Sequence, residues 1–470
     1  GTAVLLITHD LGVVFQNTDE VAVMYAGKIV EKASTKALFR NPLHPYTLKL
    51  FRSIPSRQKR GNRLETIEGS VPPATAFPDG CRFADRCPWV GTGCREREPG
   101  LFEVGKGHFA ACNIYNPDIM KGKIREEDNK AISPLDANPL TDPNQAVVIN
   151  AKGLEAYYPI KKGVFKRVVG WVKAVDGIDL TIRRGSTLAL VGESGCGKTT
   201  AGKSMVQLVP ATGGEVTFNG QVITGLSTRE LKPYRNRFQI IFQDPYSSLN
   251  PKMMVGEIIE EGIRVHYPDM KGDERRERIS TLLEKVGLAP EVVSLYPHEF
   301  SGGQRQRIAI ARVLAVDPEF IVCDEVVSAL DVSVQAQVLN LLKALQKEYG
   351  LTYLFITHDL GVVEYIADEV AVMYLGRIVE RGLVDEIFDS PEHPYTEALL
   401  SAIPKINDNA GVKKIQLKGD VPSPANPPPG CHFHPRCQYR MDICDREYPG
   451  ISKFSETHIC KCYRYDSKRG

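Results

Sequence analysis

Long apolar stretches are missing from this chain of 470 residues. No window approaches the roughly 18 consecutive apolar residues that a membrane-spanning helix needs, so the sequence predicts no transmembrane segment. A basic excess is missing too, because the formal net charge is only +2. The composition therefore gives no indication of a nucleic-acid binder. A secretory signal peptide is not expected from the sequence either.

The composition is otherwise that of an ordinary globular protein, with 42% hydrophobic and 25% charged residues. At roughly 150 residues per domain, the length predicts two to four domains. Cysteine is unusually frequent, with 11 residues, and most of them lie in two clusters. Clustering of this kind is typical of metal ligands rather than of scattered disulfides.

The chain repeats itself over a long distance. Residues 8–27 recur as residues 357–376, with fifteen of the twenty positions identical. The same register aligns the HPYT segments at 44–47 and 393–396 and, after a one-residue insertion, both cysteine clusters. A repeat unit this long indicates a tandem domain duplication rather than a solenoid.

The first copy is expected to be incomplete. Lys198 precedes His358 by 160 residues, so the corresponding lysine of the first copy would lie before Gly1. The start of the chain inside an apolar strand likewise suggests part of a longer protein. Five segments are predicted: the C-terminal part of a first domain at 1–55, a first Cys-rich extension at 56–116, a Pro- and Asn-rich linker at 117–146, a complete second domain at 147–404 and a second extension at 405–470.

A phosphate-binding loop is predicted at residues 187–200, TLALVGESGCGKTT, where an apolar strand runs into a G-x-x-x-x-G-K-T pattern and then a helix. Glycines let successive backbone N–H groups converge on phosphates, and the helix N-terminus adds a favourable dipole. Lys198 would neutralise the β- and γ-phosphates, and Thr199 would ligate Mg²⁺. The other residues of the predicted nucleotide-binding loop are Gly192, Ser194, Gly195, Cys196, Gly197 and Thr200.

Three further apolar strands are predicted to end in polar residues. Strand FIVCDE ends in Asp324, a candidate Mg²⁺ ligand, and Glu325, a candidate base for the attacking water. Gln243 and His358 end two others. An acid pair or a lone His at a strand end is common, but in open α/β sheets ligands bind at the carboxyl ends of strands. Together with the phosphate loop, these four strand ends predict one nucleotide site.

Two other features point to the same ligand. Residues 301–304, SGGQ, open a predicted helix whose N–H groups could meet a phosphate: Ser301, Gly302, Gly303 and Gln304. Tyr158 is a candidate to stack on adenine, with Tyr157 as its competitor and a core role as the alternative for either.

With these motifs in order, the chain resembles the ATP-binding subunits of ABC transporters. Gln243 matches the Q-loop, FSGGQ the signature, FIVCDE the Walker B strand, residues 328–331 the D-loop and His358 the switch histidine. The resemblance is closest to the ATPases of peptide and nickel importers, through YPHEFSGGQRQRIAIAR at 296–312, the HPYT segments and the cysteine-containing extensions. One departure is Val326, where the family usually has proline.

The resemblance implies an α/β fold: a P-loop NTPase domain of the ABC type, with a mixed sheet and a helical subdomain, plus a small Cys-rich C-terminal extension in each copy. ATP and Mg²⁺ are the implied cofactors. The implied catalytic residues are Lys198, Gln243, Glu325 and His358, and the implied Mg²⁺ ligands are Thr199, Gln243 and Asp324.

In this family two ATPase domains pair around two ATP molecules, each phosphate loop facing the partner's signature. The resemblance therefore assigns residues 301–304 and His9 to the site of the first copy. Because the site of Lys198 needs a signature from elsewhere, we expect weak hydrolysis unless two chains pair.

The implied partners are two membrane permeases at the cytoplasmic face of the cell membrane, docked on residues 246–261, and indirectly an extracytoplasmic solute-binding protein. Nucleic acid is not expected. Di- or oligopeptide import is the leading function. A nickel or other small-solute importer and a non-transport ABC ATPase are the alternatives.

Both cysteine clusters have the spacing C-x₅-C-x₆-C-x₁₇-C. Four thiolates suit a structural Zn²⁺ or a [4Fe–4S] cluster, while free thiols remain an alternative. The resemblance adds that some peptide-importer ATPases hold iron–sulfur clusters here. The eight predicted ligands are Cys81, Cys87, Cys94 and Cys112 of the first module and Cys431, Cys437, Cys444 and Cys462 of the second. Cys460 is a spare, and the HPYT histidines, His44 and His393, are predicted to be structural helix-start residues.

Overall fold

The computed structural model describes residues 2–116, 145–403 and 415–465. These form two compact units, one mainly from residues up to 116 and the other mainly from residues after 144. Most of the predicted linker at 117–146, and residues 405–414 of the second extension, lie outside the described residues. No helix within the described ranges has both the length and the apolar character needed to cross a membrane.

The first unit is built on a four-stranded antiparallel sheet in the order β1-β2-β4-β3. Its core is formed by aliphatic and aromatic side chains that include Val23, Tyr25, Leu38 and Phe83. The strands are β1 (Glu20–Tyr25), β2 (Lys28–Ser34), β3 (Phe102–Gly105) and β4 (His108–Ala110), and the helices are α1 (Leu11–Asn17), α2 (Thr35–Arg40) and α3 (Pro45–Arg52).

The second unit contains two sheets. Its four-stranded antiparallel sheet has the order β6-β5-β8-β9, and its eight-stranded sheet has the order β10-β11-β12-β7-β13-β14-β16-β15. The strands are β5 (Val147–Lys162), β6 (Arg167–Arg183), β7 (Thr187–Val191), β8 (Gly213–Phe218), β9 (Gln221–Val222), β10 (Phe238–Ile241), β11 (Phe320–Asp324), β12 (Thr352–Ile356), β13 (Glu369–Tyr374), β14 (Arg377–Leu383), β15 (Ser452–Lys453) and β16 (Ile459–Cys460).

Strands β10, β11, β12, β7 and β13 run parallel, and β14, β16 and β15 continue the sheet antiparallel. Every residue of β7, β11 and β12 is buried, as expected of parallel strands covered on both faces. The predicted mixed sheet is therefore present.

Some helices of the second unit pack on its sheets. Three of its helices, α7, α8 and α9, pack on one another, as predicted for a helical subdomain. The helices are α4 (Lys198–Met205), α5 (Thr228–Leu231), α6 (Pro245–Ser248), α7 (Val255–His266), α8 (Gly272–Lys285), α9 (Gly302–Leu314), α10 (Val332–Tyr349), α11 (Leu360–Ile366), α12 (Val384–Asp389) and α13 (Pro394–Ser401).

The cysteine-rich extensions join the sheets that precede them. In the second unit β16 pairs with β14, and in the first unit β4 pairs with β2. The backbone hydrogen bonds of these strands are thereby satisfied by the preceding domain. The predicted boundaries at 56 and 405 therefore separate segments of the sequence but not compact units of the structure. As far as it is described, each extension belongs to the same compact unit as the domain that precedes it.

Candidate nucleotide-binding site

Four neighbouring parallel strands bring the predicted site residues to one edge. Their order is β10-β11-β12-β7, and Gln243, Asp324, His358 and the phosphate loop follow them at their carboxyl ends. Because these ends share one edge of the sheet, residues far apart in sequence meet there. The convergence expected from the strand pattern is therefore found.

The phosphate loop connects β7 to α4 through backbone that only glycine tolerates. Gly192 has a φ of +152°, and Gly197 has a φ of +108°. A Cβ on Gly192 would collide with the carbonyl oxygen of Met373, and one on Gly197 with that of Ala174. These two glycines allow the loop to lie directly on the backbones of β13 and β6.

Lys198 begins α4 and is almost fully buried, with 6% of its surface exposed. Its ammonium group donates to the carbonyl oxygens of Gly192 at 2.8 Å and Glu193 at 3.0 Å. A buried ammonium requires such partners, because desolvating an unpaired charge is costly. The lysine is thus held at the concave side of its own loop, where phosphate oxygens can take over its donors.

Thr199 and Asp324 lie side by side, the threonine hydroxyl donating to the carboxylate at 2.8 Å. Burial raises the pKa of Asp324 above its usual range, and the nearby Glu325 carboxylate adds to the rise, while the Thr199 hydroxyl opposes it. A hydroxyl and a carboxylate placed together are oxygen ligands of the kind that Mg²⁺ prefers. Both residues therefore fit the predicted metal role.

Glu325 receives two side chains from neighbouring strand ends. The Gln243 amide donates to its Oε2 at 2.6 Å, and His358 Nδ1 lies 3.5 Å from its Oε1. Glu325 itself has a left-handed φ of +49°, an uncommon conformation for a residue with a side chain. Such strain persists where the surroundings impose it, and it frequently accompanies functional sites. The neighbouring Val326 is buried in the core.

The signature segment forms the start of α9. Ser301 caps the helix, its hydroxyl accepting from the Gln304 N–H at 3.4 Å, while Gln304 Oε1 accepts from the Ser301 N–H at 3.0 Å. This reciprocal pair is a capping box. These bonds of Ser301 and Gln304 are local and stabilise the start of the helix itself. Gly302 is half-buried and Gly303 buried beside them.

The two tyrosine candidates differ in their surroundings. The Tyr157 hydroxyl donates to Asp176, which engages its polar end in the fold. Tyr158 is 42% exposed on β5, opposite Val172. The structure thus leaves the Tyr158 ring, rather than the Tyr157 ring, accessible to a stacking partner.

His9 lies in the first unit and is exposed. It precedes Asp10, whose carboxylate caps α1 by accepting from Gly12 N and Val13 N. His358 stands in the same relation to Asp359, which caps α11. The two histidines therefore share a local setting, each fixed just before a capped helix.

The HPYT histidines are helix caps, as predicted. His44 Nδ1 accepts from Tyr46 N at 3.0 Å, and His393 Nδ1 accepts from Tyr395 N at 3.1 Å. Burial lowers the pKa of His393 to about 4 and that of His44 to about 3. Both rings are therefore neutral near physiological pH, as a cap acceptor must be.

None of the eleven cysteines, all of them within the described residues, is paired in a disulfide. Within the second module four of them, Cys431, Cys437, Cys444 and Cys462, line one cavity of about 10 Å³. Burial raises the pKa of the Cys431 thiol to about 12, and the other three thiols add to the rise. Across the described residues, however, no group of three or more His, Cys, Asp or Glu side chains is arranged to hold a metal ion. The structure does not support the predicted iron–sulfur or zinc site, which stays a prediction.

One group of residues at the loop was not predicted. The Arg436 guanidinium makes two bonds to the Glu193 carboxylate, at 2.7 and 3.1 Å, and the Tyr395 hydroxyl accepts from Glu193 N at 2.8 Å. Neither Arg436 nor Tyr395 lies near the loop in sequence, so no local pattern could have indicated these contacts.

Fold and site define the class: a P-loop nucleoside triphosphatase domain whose acid pair and switch residues surround one phosphate-binding loop. Comparison with known proteins supports this. The ABC transporter family model matches residues 175–328. The model for the oligopeptide/dipeptide transporter C-terminal region matches twice, at residues 30–94 and 379–444.

Individual relatives agree. The oligopeptide transport ATP-binding protein AppF of Bacillus subtilis is 49% identical over 329 residues, which cover 69% of this chain and 100% of that protein. The dipeptide transport ATP-binding protein DppF of Escherichia coli is 49% identical over 68% of this chain and 96% of its own length. The oligopeptide transport ATP-binding protein OppD of Mycobacterium tuberculosis is 42% identical over 86% of this chain and 66% of its own. The chain belongs to the ATP-binding proteins of the peptide ABC transporters, and it is an ABC-type ATPase.

Proposed function

We propose that this chain hydrolyses ATP to power the import of di- or oligopeptides. The observation that carries the proposal is the pair of matches to the oligopeptide/dipeptide transporter C-terminal region, on a chain that also brings Lys198, Asp324 and Glu325 to one sheet edge. Sequence relatives named for peptide transport support the choice of cargo.

At the site, Lys198 and the loop N–H groups would bind the phosphates, and Thr199, Asp324 and Gln243 would hold Mg²⁺. Bound Mg²⁺ supplies positive charge that offsets the charge developing on the phosphate oxygens. Glu325 accepts a proton from the attacking water, while Gln243 and His358 hold its carboxylate in place. The contacts of 2.6 and 3.5 Å to Glu325 support this division of roles.

We further propose that the first unit is the C-terminal part of a second ATPase copy and that ATPase domains pair in the working protein. Two observations support the duplication: the repeated family match, and the position of His9 and His358, each just before an aspartate that caps a helix. Signature residues Ser301 and Gln304 bond to each other at the start of α9. They are thus available to contact a nucleotide held by a partner domain.

The expected partners are two permeases, with a solute-binding protein acting on them from the other side of the membrane. Residues 246–261 are the proposed docking surface at the cytoplasmic face of the membrane. Tyr246 is 63% exposed there, and the Arg305 guanidinium lies 3.6 Å above its ring. Since Arg305 belongs to α9, a shift of this helix would displace the side chain that contacts Tyr246.

Transport is tested by deleting the gene and measuring uptake of radiolabelled di- and tripeptides into cells. Restoring wild-type protein should recover uptake, and Glu325→Gln should not. Affinity purification from gently solubilised membranes should recover two polytopic permeases. If the wild-type protein restored nickel uptake instead of peptide uptake, the proposed peptide cargo would be wrong. If the purification recovered ribosomes or no membrane protein, the proposed transport function would be wrong.

For the cysteine modules we propose a [4Fe–4S] cluster in each, with Zn²⁺ as the alternative. Four cysteines are the number of ligands that either group takes, and in the second module these cysteines line one cavity. The group would cross-link a segment rich in Pro and Gly. Iron, sulfide and zinc measured on anaerobically purified protein decide between them. About four iron atoms per module support the cluster, and about one zinc ion per module supports the alternative. Protein that contains neither iron nor zinc would overturn both proposals.

A further inference from the structure

Glu193, which follows Gly192 in the phosphate loop, is held at three points. The Glu193 N–H donates to the Tyr395 hydroxyl, and its carbonyl oxygen accepts from the Lys198 ammonium at 3.0 Å. Its carboxylate makes the two-bond ion pair with Arg436. A residue fixed at its N–H, carbonyl and side chain has little freedom left, so the backbone around it is held in one shape.

The ion pair that fixes the side chain is strong by its geometry. Bidentate Arg–carboxylate pairs combine charge with a fixed planar orientation. The Arg436 side chain is 8% exposed and that of Glu193 26% exposed, so solvent screens the pair only partly. Surface pairs contribute little, but a largely buried pair leaves an uncompensated charge when one partner is removed.

Arg436 reaches the loop from the second cysteine module. It ends the short helical turn His434–Arg436 and directly precedes Cys437, one of the four thiols that line the module cavity. The position of Arg436 is thus set by the fold of the module.

The first module offers a counterpart of Arg436 that has other partners. Arg86 occupies the matching position and donates to the Tyr25 hydroxyl at 3.2 Å. Its other bonds go to the backbone carbonyls of Ile67 and Glu68. Arg86 therefore provides a control arginine at the matching repeat position, with its bonds made to Tyr25, Ile67 and Glu68.

We propose that Arg436 is a positioning residue for the phosphate loop: by holding Glu193 it keeps the loop in its nucleotide-binding shape and connects the second cysteine module to ATP binding. The inference rests on the proposed nucleotide site at Lys198. A displaced loop would present its N–H groups and the Lys198 ammonium to the phosphates in a poorer geometry, so weaker nucleotide binding is the expected effect.

The test measures equilibrium binding of fluorescent N-methylanthraniloyl-ATP to the full chain, together with KM and kcat for ATP. Arg436→Ala should raise Kd and KM about tenfold and lower kcat less than about threefold. Arg436→Lys should give a smaller rise, because lysine keeps the charge but not the planar fork. Arg86→Ala should bind as the wild type does, with thermal unfolding confirming that each variant is folded.

A double-mutant cycle completes the test. Glu193→Ala should raise Kd about as much as Arg436→Ala, and the double variant should be no worse than either single one. The reversed pair Glu193→Arg with Arg436→Glu should recover part of the affinity.

Unchanged Kd in Arg436→Ala, or single effects that multiply in the double variant, would overturn the role of Arg436. A wild type that binds no nucleotide, or binding unaffected by Lys198→Ala, would instead overturn the proposed site itself.

Discussion

The Gln243 amide donates a hydrogen bond of 2.6 Å to the Glu325 carboxylate, joining the ends of two neighbouring parallel strands. Gln243 follows β10, which pairs with β11 in register from Phe238 and Phe320 onward. The bond holds one carboxylate oxygen of Glu325, while His358 lies at the other. The proposed general base is thereby oriented by two side chains, each from a different strand end.

Glu325→Gln is expected to abolish turnover while leaving ATP bound. The amide keeps the size of the carboxylate but cannot accept the proton of the attacking water, so kcat should fall about 100-fold or more. Steady-state hydrolysis and nucleotide retention on the purified chain measure the two effects. Glu277→Gln, an exposed carboxylate on α8, is the matched control. Persistent turnover in Glu325→Gln would show that another group is the base.

Asp324→Asn and Thr199→Ala are expected to raise the Mg²⁺ concentration that gives half-maximal hydrolysis. The two side chains are joined by a bond of 2.8 Å, and each variant removes one oxygen ligand or its charge. Loss of a supporting metal contact costs about 10- to 100-fold in affinity. Titration of ATPase activity with Mg²⁺ at saturating ATP measures the change. An unaltered Mg²⁺ requirement in both variants would remove these residues from the metal site.

His393→Asn is expected to make stability less sensitive to acid. Burial lowers the pKa of His393 in the folded protein to about 4, below its ordinary 6.5, so the folded state binds fewer protons between these values. Stability therefore falls as pH decreases through this window, and His393 accounts for at most about 3 kcal/mol of the loss.

Asparagine preserves a cap acceptor but does not titrate, so the variant should lose less stability over the same window. Urea unfolding of both proteins at neutral and acidic pH measures the difference. Equal acid sensitivity in the two proteins would contradict the neutral, buried state of His393.

Turnover per chain is expected to rise with chain concentration. The signature at 301–304 bonds within its own helix, and the proposed mechanism requires it to face a phosphate loop of another ATPase domain. Hydrolysis measured across a dilution series, with light scattering for molecular mass, tests pairing of chains. Turnover that stays constant at high dilution would show that the site of Lys198 is complete without a second chain.

Local pattern predicted much of this site. The phosphate loop, the FIVCDE strand and the strand-end Gln243 and His358 each have a sequence signal, and the parallel strand order brings them together as expected. The caps at His44 and His393 were likewise readable, because capping depends on neighbours within a few residues.

The bonds from Arg436 and Tyr395 to Glu193 could not be predicted. They join residues 243 and 202 positions apart, and their existence depends on how an extension folds back on the sheet. The pairing of β16 with β14 was missed for the same reason, since three-residue or shorter strands carry no clear period.

The two copies separate what sequence determines from what tertiary structure decides. By itself the sequence determined the capped helices after His9 and His358, because Asp10 and Asp359 each bond to N–H groups two and three residues on. The apolar segments just before these histidines, 4–7 and 353–356, occupy matching positions.

Only their surroundings make these two segments differ. Residues 353–356 form a buried strand because β11 and β7 flank it on both sides. Residues 4–7 are not a strand in the structure, and Leu5 and Ile7 are 88% and 89% exposed. Apolar sequence supplies the tendency to be buried, but a strand forms only where neighbouring strands accept its backbone hydrogen bonds.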